Sequence, residues 1–258
     1  ARKGIRANVT TSEKAVKPFE NSDIQFAFQP IVDTYRARVS SIEALIRSND
    51  GRYPETILEE LVGPEKYDFD LKSKAIAIKQ GAALLSSDQS LSINLCPRAI
   101  TSTVNVADYL HELVKRNKLK PQQLVIEVTE TEIISESDTF YQAIEQIRSR
   151  GMRVAIDDFG AGYAGLSLLA DFTPDKIKLD RKITTGIHES GHRQAITEAV
   201  LEFANSMGIP LVVEGVETID EWLWLQHAGV QRFQGFLFAK PKLNGVSGID
   251  FSFDGASS

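Results

Sequence analysis

Short runs of aliphatic and β-branched residues alternate along this chain with longer amphipathic stretches. Runs of this kind, bounded by turn residues, predict buried strands, and the longer stretches predict helices. The predicted strands are Gln25–Val32, Val39–Leu45, Leu91–Leu95, Leu124–Val128, Arg153–Asp157, Lys176–Leu179, Leu211–Glu214 and Arg232–Phe236. The predicted helices are Leu71–Leu85, Val106–Arg116, Ser137–Arg150, Gly165–Asp171, Arg193–Met207 and Ile219–His227.

The order of these elements predicts an α/β fold. Alternating strands and helices favour a parallel sheet covered by helices, and eight strands in 258 residues favour a closed barrel over an open sheet. Only Asp33–Arg38 separates the first two strands, which is too short for a parallel crossover. We therefore predict a modified TIM (β/α)8 barrel with one antiparallel strand. The barrel domain is expected at 21–250, after a linker or cloning remnant at 1–20 and before a C-terminal tail at 251–258.

Acidic residues stand where several of the predicted strands end. A single carboxylate there is usually a helix cap or a solvated loop residue. The carboxyl ends of parallel barrel strands share one face, so five such positions are expected to converge. A ring of carboxylates repels itself unless cations lie among its members, and the pattern therefore predicts a divalent-metal enzyme. The positions are Glu43, Glu127, Asp157-Asp158, Asp180 and Glu214.

The amino-acid composition limits which classes of ligand the chain is expected to bind and which cellular compartment it is expected to occupy. A formal net charge of −6 argues against a broad nucleic-acid-binding face, and hence against DNA, but it does not exclude a small phosphorylated ligand. Cys96 is the only cysteine, so an intrachain disulfide is impossible, which fits a reducing compartment. No apolar stretch approaches the roughly 20 residues that span a bilayer. We expect a cytoplasmic domain without membrane insertion of its own, although a membrane-anchored parent protein can carry such a domain.

Each predicted strand end also carries a short motif. Because these motifs occur in this order, with one at each strand end, the chain resembles the EAL domain family of bacterial cyclic di-GMP phosphodiesterases. The resemblance extends from about Gln25 to Pro241. A Glu-Ala-Leu triplet alone means nothing, whereas the ordered set is highly specific. The motifs are Glu43-Ala44-Leu45, Ser92-Ile93-Asn94-Leu95, Glu127-Val128-Thr129-Glu130, Asp157-Asp158-Phe159-Gly160, Lys178-Leu179-Asp180, Glu214-Gly215-Val216-Glu217 and Gln234-Gly235-Phe236.

The resemblance implies a site for two divalent cations. Asp157 bridges the two ions in this arrangement. Hard oxygen ligands suit Mg²⁺ or Mn²⁺, and the four histidines do not fall in matching positions, which weakens a zinc interpretation. The implied ligands are Glu43, Asn94, Glu127 and Asp157 for one ion, and Asp157, Asp158 and Glu214 for the other.

The resemblance also implies the reaction, which is hydrolysis of cyclic di-GMP to linear pGpG by two-metal in-line attack of an activated water. The catalytic set is Lys178, Glu214, Asp157 and Glu217. The substrate-binding set is Gln29, Arg47, Asp180 and Gln234. Within these sets Lys178 lies beside the attacking water, while Glu217 and Asp180 orient the ligands and Lys178. Acting as a base would require Lys178 to have a depressed pKa.

A loop after the fifth strand is implied to link the metal site to the interface of a homodimer. Its coupling residues are Glu130, Phe159, Gly160 and Gly162, and loop position is expected to tune metal binding. A sensory or regulatory domain is expected N-terminal to this segment in the parent chain. Two alternatives stay open: an inactive EAL-like domain that binds cyclic di-GMP, and an inactive protein-interaction module. Hydrolysis separates the first from the enzyme, and calorimetry with cyclic di-GMP separates the second.

Overall fold

The computed structural model describes residues 24–49, 63–103, 105–129, 138–162, 168–170 and 172–252. Strands are numbered in chain order within these ranges. The bounds of the first eight lie within a few residues of the prediction, and the short ninth strand was not predicted. The strands are β1 Ile24–Asp33, β2 Arg38–Ser48, β3 Ser90–Asn94, β4 Leu124–Thr129, β5 Arg153–Phe159, β6 Lys176–Leu179, β7 Leu211–Val213, β8 Arg232–Phe233 and β9 Lys242–Leu243.

Eight of the strands close into a barrel, as predicted. From β2 to β8 each strand pairs in parallel with the next one in the chain. The first strand β1 closes the ring, because it pairs antiparallel with β2 on one side and with β8 on the other. It is therefore the antiparallel strand that the short β1–β2 connection predicts. The short β9 lies outside the ring and extends β1 by pairing with Ala27 and Phe28.

Helices pack around this barrel, and four of them follow the prediction closely, whereas the short helices at 97–102 and 181–184 were not predicted. The helix predicted at Gly165–Asp171 lies largely outside the described residues. The helix at 106–116 and the helix at 219–227 have the predicted bounds. A glycine with positive φ, Gly208, caps the helix that ends at Met207, as the sequence indicates. The helices of the described residues are α1 Pro64–Ala82, α2 Pro97–Ser102, α3 Val106–Arg116, α4 Asp138–Ser149, α5 Arg181–Thr184, α6 Gly191–Met207 and α7 Ile219–His227.

Helix α1 differs most from the prediction, since it begins seven residues earlier than expected. Proline is well tolerated at the first helical position, where its missing N–H has no intrahelical partner to lose. Pro64 occupies that position, and Gly63 precedes it as the N-cap residue. The Gly63-Pro64 pair therefore starts the helix.

The apolar core lies between the barrel and the surrounding helices. Outward-facing strand residues such as Ile42, Ile126, Ile156 and Ile177 are at most 1% exposed. Strand alternation turns their neighbours, Glu43, Glu127, Asp157 and Lys178, toward the barrel interior. None of the helices in the described ranges is both long and apolar enough to span a membrane.

Candidate metal centre and active site

A buried lysine stands at the centre of the acidic residues. The Lys178 side chain is 1% exposed, and its Nζ lies 3.2 Å from Glu43 Oε2, 2.8 Å from Glu127 Oε2, 2.9 Å from Asp157 Oδ1 and 2.7 Å from Glu214 Oε1. These four carboxylates come from β2, β4, β5 and the residue after β7. The predicted convergence of these acidic residues is therefore present in space, although Glu43 lies within β2 rather than at its end.

Three amide side chains complete one side of this cluster. Asn94 Nδ2 donates to Glu43 Oε1 at 2.8 Å, and Gln234 Nε2 donates to Glu43 Oε2 at 2.7 Å and to Gln29 Oε1 at 3.1 Å. Gln29 Nε2 in turn donates to the carbonyl of Ala239 at 3.0 Å. The predicted site residues Gln29, Asn94 and Gln234 thus fix the orientation of Glu43.

Adjacent Asp157 and Asp158 both reach the site because the strand is irregular there. The register between β5 and β6 shifts between Ile156 and Phe159, and Asp158 has φ 53°. Aspartate tolerates this left-handed conformation better than most residues, at a cost of order 1 kcal/mol. Strand β5 continues to Phe159, and this irregularity in its pairing with β6 breaks the regular alternation of side chains.

Two glycines in the quoted motifs allow close backbone approaches beside the site: Gly235 lets the end of β8 meet the residues after β7, and Gly215 lets the start of α5 pack against the end of β7. A Cβ at Gly235 would lie 2.0 Å from the Val216 carbonyl oxygen, and one at Gly215, where φ is 65°, would lie 2.3 Å from Arg181 Cβ. The backbone of Val216 also donates to Gln234 O at 3.2 Å. A glycine directly after a functional side chain at a strand end was the available signal for such a close approach.

The electrostatics of the cluster are dominated by burial and by an excess of acids. Burial raises the pKa of Glu127 to about 7, although Lys178 opposes the shift. Burial, with Asp157 and Asp180 nearby, raises the pKa of Asp158 to about 6. Burial likewise raises the pKa of Glu214 well above its usual value. A single lysine therefore does not neutralise the cluster.

Lys178 itself holds its proton firmly. Burial disfavours the ammonium, but Asp157, Glu127, Glu214 and Glu43 together outweigh burial and raise its pKa well above the usual value. For Glu43, the effect of burial is outweighed by Lys178 and by the amide donors, and its pKa is lowered. In this arrangement Lys178 is a fixed cation rather than a proton acceptor.

The donor set fits divalent cations of the Mg²⁺ or Mn²⁺ type. One carboxylate oxygen from each of Glu43, Glu127 and Asp157 lies within 4.8 Å of the others, and the same holds for Asp157, Asp158 and Glu214. Among the described residues no donor reaches the buried Oε1 of Glu127. Oxygen ligands that are buried, acidic and partly without hydrogen bonds are suited to hard cations. Asp157 belongs to both groups, as the bridging ligand of the prediction would.

The remaining predicted site residues have different surroundings. Asp180 lies beside Asp158 and caps α5 by accepting from the Lys182 N–H at 3.0 Å. Glu217 is near the site, but its carboxylate accepts from Arg181 Nη2 at 3.3 Å, and no contact to Lys178 is present between these described side chains. Arg47 lines a neighbouring cavity rather than the one that contains Asp157 and Glu214.

The predicted coupling loop is described only in part. Glu130 lies outside the described residues. Phe159 is buried at 3% exposure, and Gly160 has φ 90° with Ile183 packed against it. Gly162 follows at the last position before the gap at 163–167. The coupling role of these residues stays a prediction.

A cleft of about 280 Å³ lies above the cluster. Its lining also includes Arg181 and Phe236, a residue that is 52% exposed. Neither is among the site residues predicted from the sequence. A cleft that combines acidic ligands, a fixed cation and amide donors is equipped to bind a phosphate ester together with cations.

Comparison with known families agrees with this geometry. The family model for the EAL domain matches residues 12–241. The chain belongs to the EAL domain family.

One relative of this EAL domain is named as a regulated antirepressor and another as an enzyme. The chain is 42% identical over 87% of its length to the blue light- and temperature-regulated antirepressor BluF of Escherichia coli, of which it covers 56%. It is 29% identical over 91% of its length to the cyclic di-GMP phosphodiesterase RocR of Pseudomonas aeruginosa, of which it covers 62%. The chain thus spans little more than half the length of these relatives.

A solved structure shows the same fold. BlrP1 of Klebsiella pneumoniae, in complex with calcium and cyclic di-GMP, matches with a TM-score of 0.85 and 44% identity, covering 91% of this chain and 60% of that one. A manganese and cyclic di-GMP complex of the same protein matches equally well.

Proposed function

We propose that this EAL domain is a phosphodiesterase that hydrolyses cyclic di-GMP to linear pGpG by in-line attack of an activated water. The observation that carries the proposal is the pair of carboxylate groups that share Asp157, set around Lys178 in an open cleft. Support also comes from RocR, named as a cyclic di-GMP phosphodiesterase, and from the complexes of BlrP1 with Ca²⁺ or Mn²⁺.

The chain's own residues have distinct tasks in this proposal. Glu43, Asn94, Glu127 and Asp157 would hold one Mg²⁺ or Mn²⁺ ion, and Asp157, Asp158 and Glu214 would hold the other. When bound, two such ions supply Lewis-acid activation of water and neutralise charge at phosphorus. Lys178 keeps its positive charge beside the reacting phosphate and limits the repulsion among the acids. Gln29 and Gln234 fix Glu43, and Asp180 and Glu217 shape the cleft wall through α5 and Arg181.

The reaction is a simple exchange at one phosphorus. The water oxygen bonds to phosphorus as the bond from phosphorus to the 3′ oxygen breaks. Of the two water protons, one stays overall on the new phosphate group and the other is taken up by the 3′ oxygen. The product keeps a 5′ phosphate and one intact phosphodiester, which is pGpG. Attack and departure in line require the phosphate to be held rigidly, and the buried hydrogen-bonded site provides that rigidity.

The decisive experiment is chromatography of cyclic di-GMP after incubation with Mg²⁺ or Mn²⁺. We expect pGpG from the wild-type protein and at least about 10²-fold less from Asp157→Asn, because the shared ligand loses its charge. Asp88→Asn is the matched control, since Asp88 is exposed and lies away from the cleft. Equal pGpG formation by wild type and Asp157→Asn would exclude the shared-ligand role.

One observation favours a second candidate, an inactive module that binds cyclic di-GMP or another protein. The relative with 42% identity is named as an antirepressor. Calorimetric binding of cyclic di-GMP without pGpG formation would support the binding module. Absence of both would support the protein-interaction module.

Further proposals concern the whole protein. We propose a homodimer in which Glu130, Phe159, Gly160 and Gly162 couple the interface to metal binding, with a sensory or regulatory domain N-terminal in the parent chain and a cytoplasmic location. Sedimentation, combined with activity measured across dimer dissociation, tests the coupling. Activity that does not change with the dimer fraction would contradict it.

A further inference from the structure

Basic side chains lie inside the end of the barrel that is opposite the cleft. Arg153, Lys176 and Arg232 are the first residues of β5, β6 and β8. Lys176 precedes Lys178 by two residues, so alternation along β6 turns both side chains into the barrel, and the same alternation places Arg153 and Arg232 on the interior face. The chemistry of such barrels takes place at the other, carboxyl ends of the strands. None of these three cations lines the cleft.

The ammonium of Lys176 is buried without a hydrogen-bond partner. The residue is 7% exposed, and among the described residues no acceptor reaches its Nζ. Burial lowers the pKa of Lys176 to about 8, and Glu127 opposes this shift, whereas Lys178, Arg153 and Arg232 add to it. With that pKa the group keeps its positive charge at pH 7. A buried charge is costly unless it is paired, so Lys176 needs a negative partner.

The acids at this end of the barrel do not supply that partner. Asp33 is fully buried, but it accepts from the Arg36 N–H at 3.0 Å and from Arg36 Nη1 at 2.9 Å, and it lies 3.9 Å from Arg232 Nη2. Asp175 accepts from Arg148 Nε at 3.2 Å. Because both acids are already paired with an arginine, positive charge is in excess inside this end of the barrel. The chain as a whole has a formal net charge of −6.

Small and polar side chains surround Lys176 in the barrel interior. Barrels of this type are usually filled by bulky branched residues. Here Ala155 pairs with Lys176, and Ser41 and Ser92 face the interior from β2 and β3, each of the three being at most 2% exposed. Ser92 Oγ is also buried with no hydrogen-bond partner in the described part of the chain. An unpaired ammonium, a free hydroxyl and nearby guanidinium groups are the donors that an oxyanion requires.

We propose that this end of the barrel binds a small inorganic oxyanion of the phosphate or sulfate class through Lys176, Arg153 and Arg232. The lysine supplies the buried charge, and the two guanidinium groups supply planar donors that match the anion's oxygens. The Arg232 side chain is 26% exposed, so the site has access to solvent. Because the anion neutralises cations that folding brings together, its binding stabilises the barrel. The inference does not depend on the proposed function, since the site lies outside the cleft.

Thermal melting in phosphate tests the site. In chelator, with ionic strength held constant by chloride, we expect phosphate to raise the melting temperature of the wild-type protein with half-saturation on the order of 1 mM. Lys176→Met should raise the half-saturating concentration by about ten-fold or more, because the buried charge is lost. Lys182→Met is the matched control, since it removes one charge from an exposed lysine beyond the other end of β6. Its response to phosphate should equal that of the wild type.

The variants separate a specific site from a general salt effect. Phosphate also favours burial of apolar surface because it is excluded from protein surfaces, and this effect should be the same in all three proteins. Equal stabilisation of the wild type and Lys176→Met would therefore overturn the inference, as would a wild-type protein that phosphate does not stabilise. Should Lys176→Met fail to fold, Arg232→Gln carries the test, and a wild-type response from that variant would equally overturn it.

Discussion

Among single residues, Lys178 determines the charge balance of the site, both without and with bound cations. Its ammonium contacts four carboxylates at 2.7–3.2 Å, and its pKa is raised well above the usual value. A lysine that keeps its proton cannot accept one from water. Its positive charge can offset the negative charge of the four carboxylates, and it competes with cations for the same carboxylate oxygens.

We therefore predict opposite effects of Lys178→Met on catalysis and on cation binding. Turnover of cyclic di-GMP should fall by about 10²-fold or more, since a positive charge beside the reacting phosphate is lost. The affinity for Mn²⁺, measured by calorimetry, should rise because the carboxylates lose their competing ammonium.

Lys182→Met is the control for this prediction, because Lys182 is an exposed lysine on α5. Wild-type turnover by Lys178→Met would remove Lys178 from the mechanism. Weaker Mn²⁺ binding would show that Lys178 organises the ligands rather than competing for them.

At the scale of elements, the loops after β7 and β8 lock together and so place Glu214 and Gln234. Gln234 N donates to Val213 O at 2.9 Å, and Leu237 N donates to Val216 O at 3.1 Å. Gly235 permits this contact, because a side chain there would overlap the backbone of Val216.

Gly235→Ala should therefore damage both the fold and the site. We expect a loss of several kcal/mol in the free energy of unfolding, measured by urea denaturation, because backbone rather than a flexible side chain must move. Hydrolysis should fall with it, since Gln234 supports Glu43. The control is Gly248→Ala, where an added Cβ meets nothing within 4 Å. Unchanged stability of Gly235→Ala would mean that the two loops can separate without cost.

The elements also show what sequence can and cannot predict. The strands and the acidic residues on β2, β4 and β5 and after β7 followed from local patterns, because burial imposes alternation and apolar runs. The start of α1 at Pro64 also has a local signal, since proline is favoured at the first helical position. Two features depend on tertiary contacts instead. The pairing of Glu217 with Arg181 and the position of Arg47 in the lining of a second cavity are decided by packing that no local window contains.

At the scale of the whole molecule, the barrel concentrates acids that the unfolded chain keeps apart. Folding therefore carries an electrostatic cost, which appears as the raised pKa values of Glu127, Asp158, Asp157 and Glu214. Anything that neutralises these groups, whether protons or bound cations, stabilises the folded state. Stability, pH and metal content are consequently linked.

The sign of the pH dependence follows from these shifts. In the folded, metal-free protein Glu127 keeps its proton up to about pH 7 and Asp158 up to about pH 6, whereas in the unfolded chain both release it near their ordinary values. The folded state binds more protons in this interval, so stability falls as pH rises through it. For Glu127 alone the shift corresponds to on the order of 3 kcal/mol. Glu43, with its lowered pKa, contributes stability that is already complete above its ordinary value.

We thus expect the melting temperature in chelator to fall from pH 5 to pH 8, and added Mn²⁺ to raise it more at pH 8 than at pH 6, because ionised carboxylates bind cations and protonated ones do not. Glu127→Gln is the matched variant, since its neutral amide removes a carboxyl whose pKa burial raises to about 7. Its melting temperature in chelator should change less with pH, and Mn²⁺ should stabilise it less.

A melting temperature of the wild-type protein that rises over this interval in chelator would mean that the acids are already compensated within the fold. In that case bound cations would not be required to reduce the repulsion among the carboxylates.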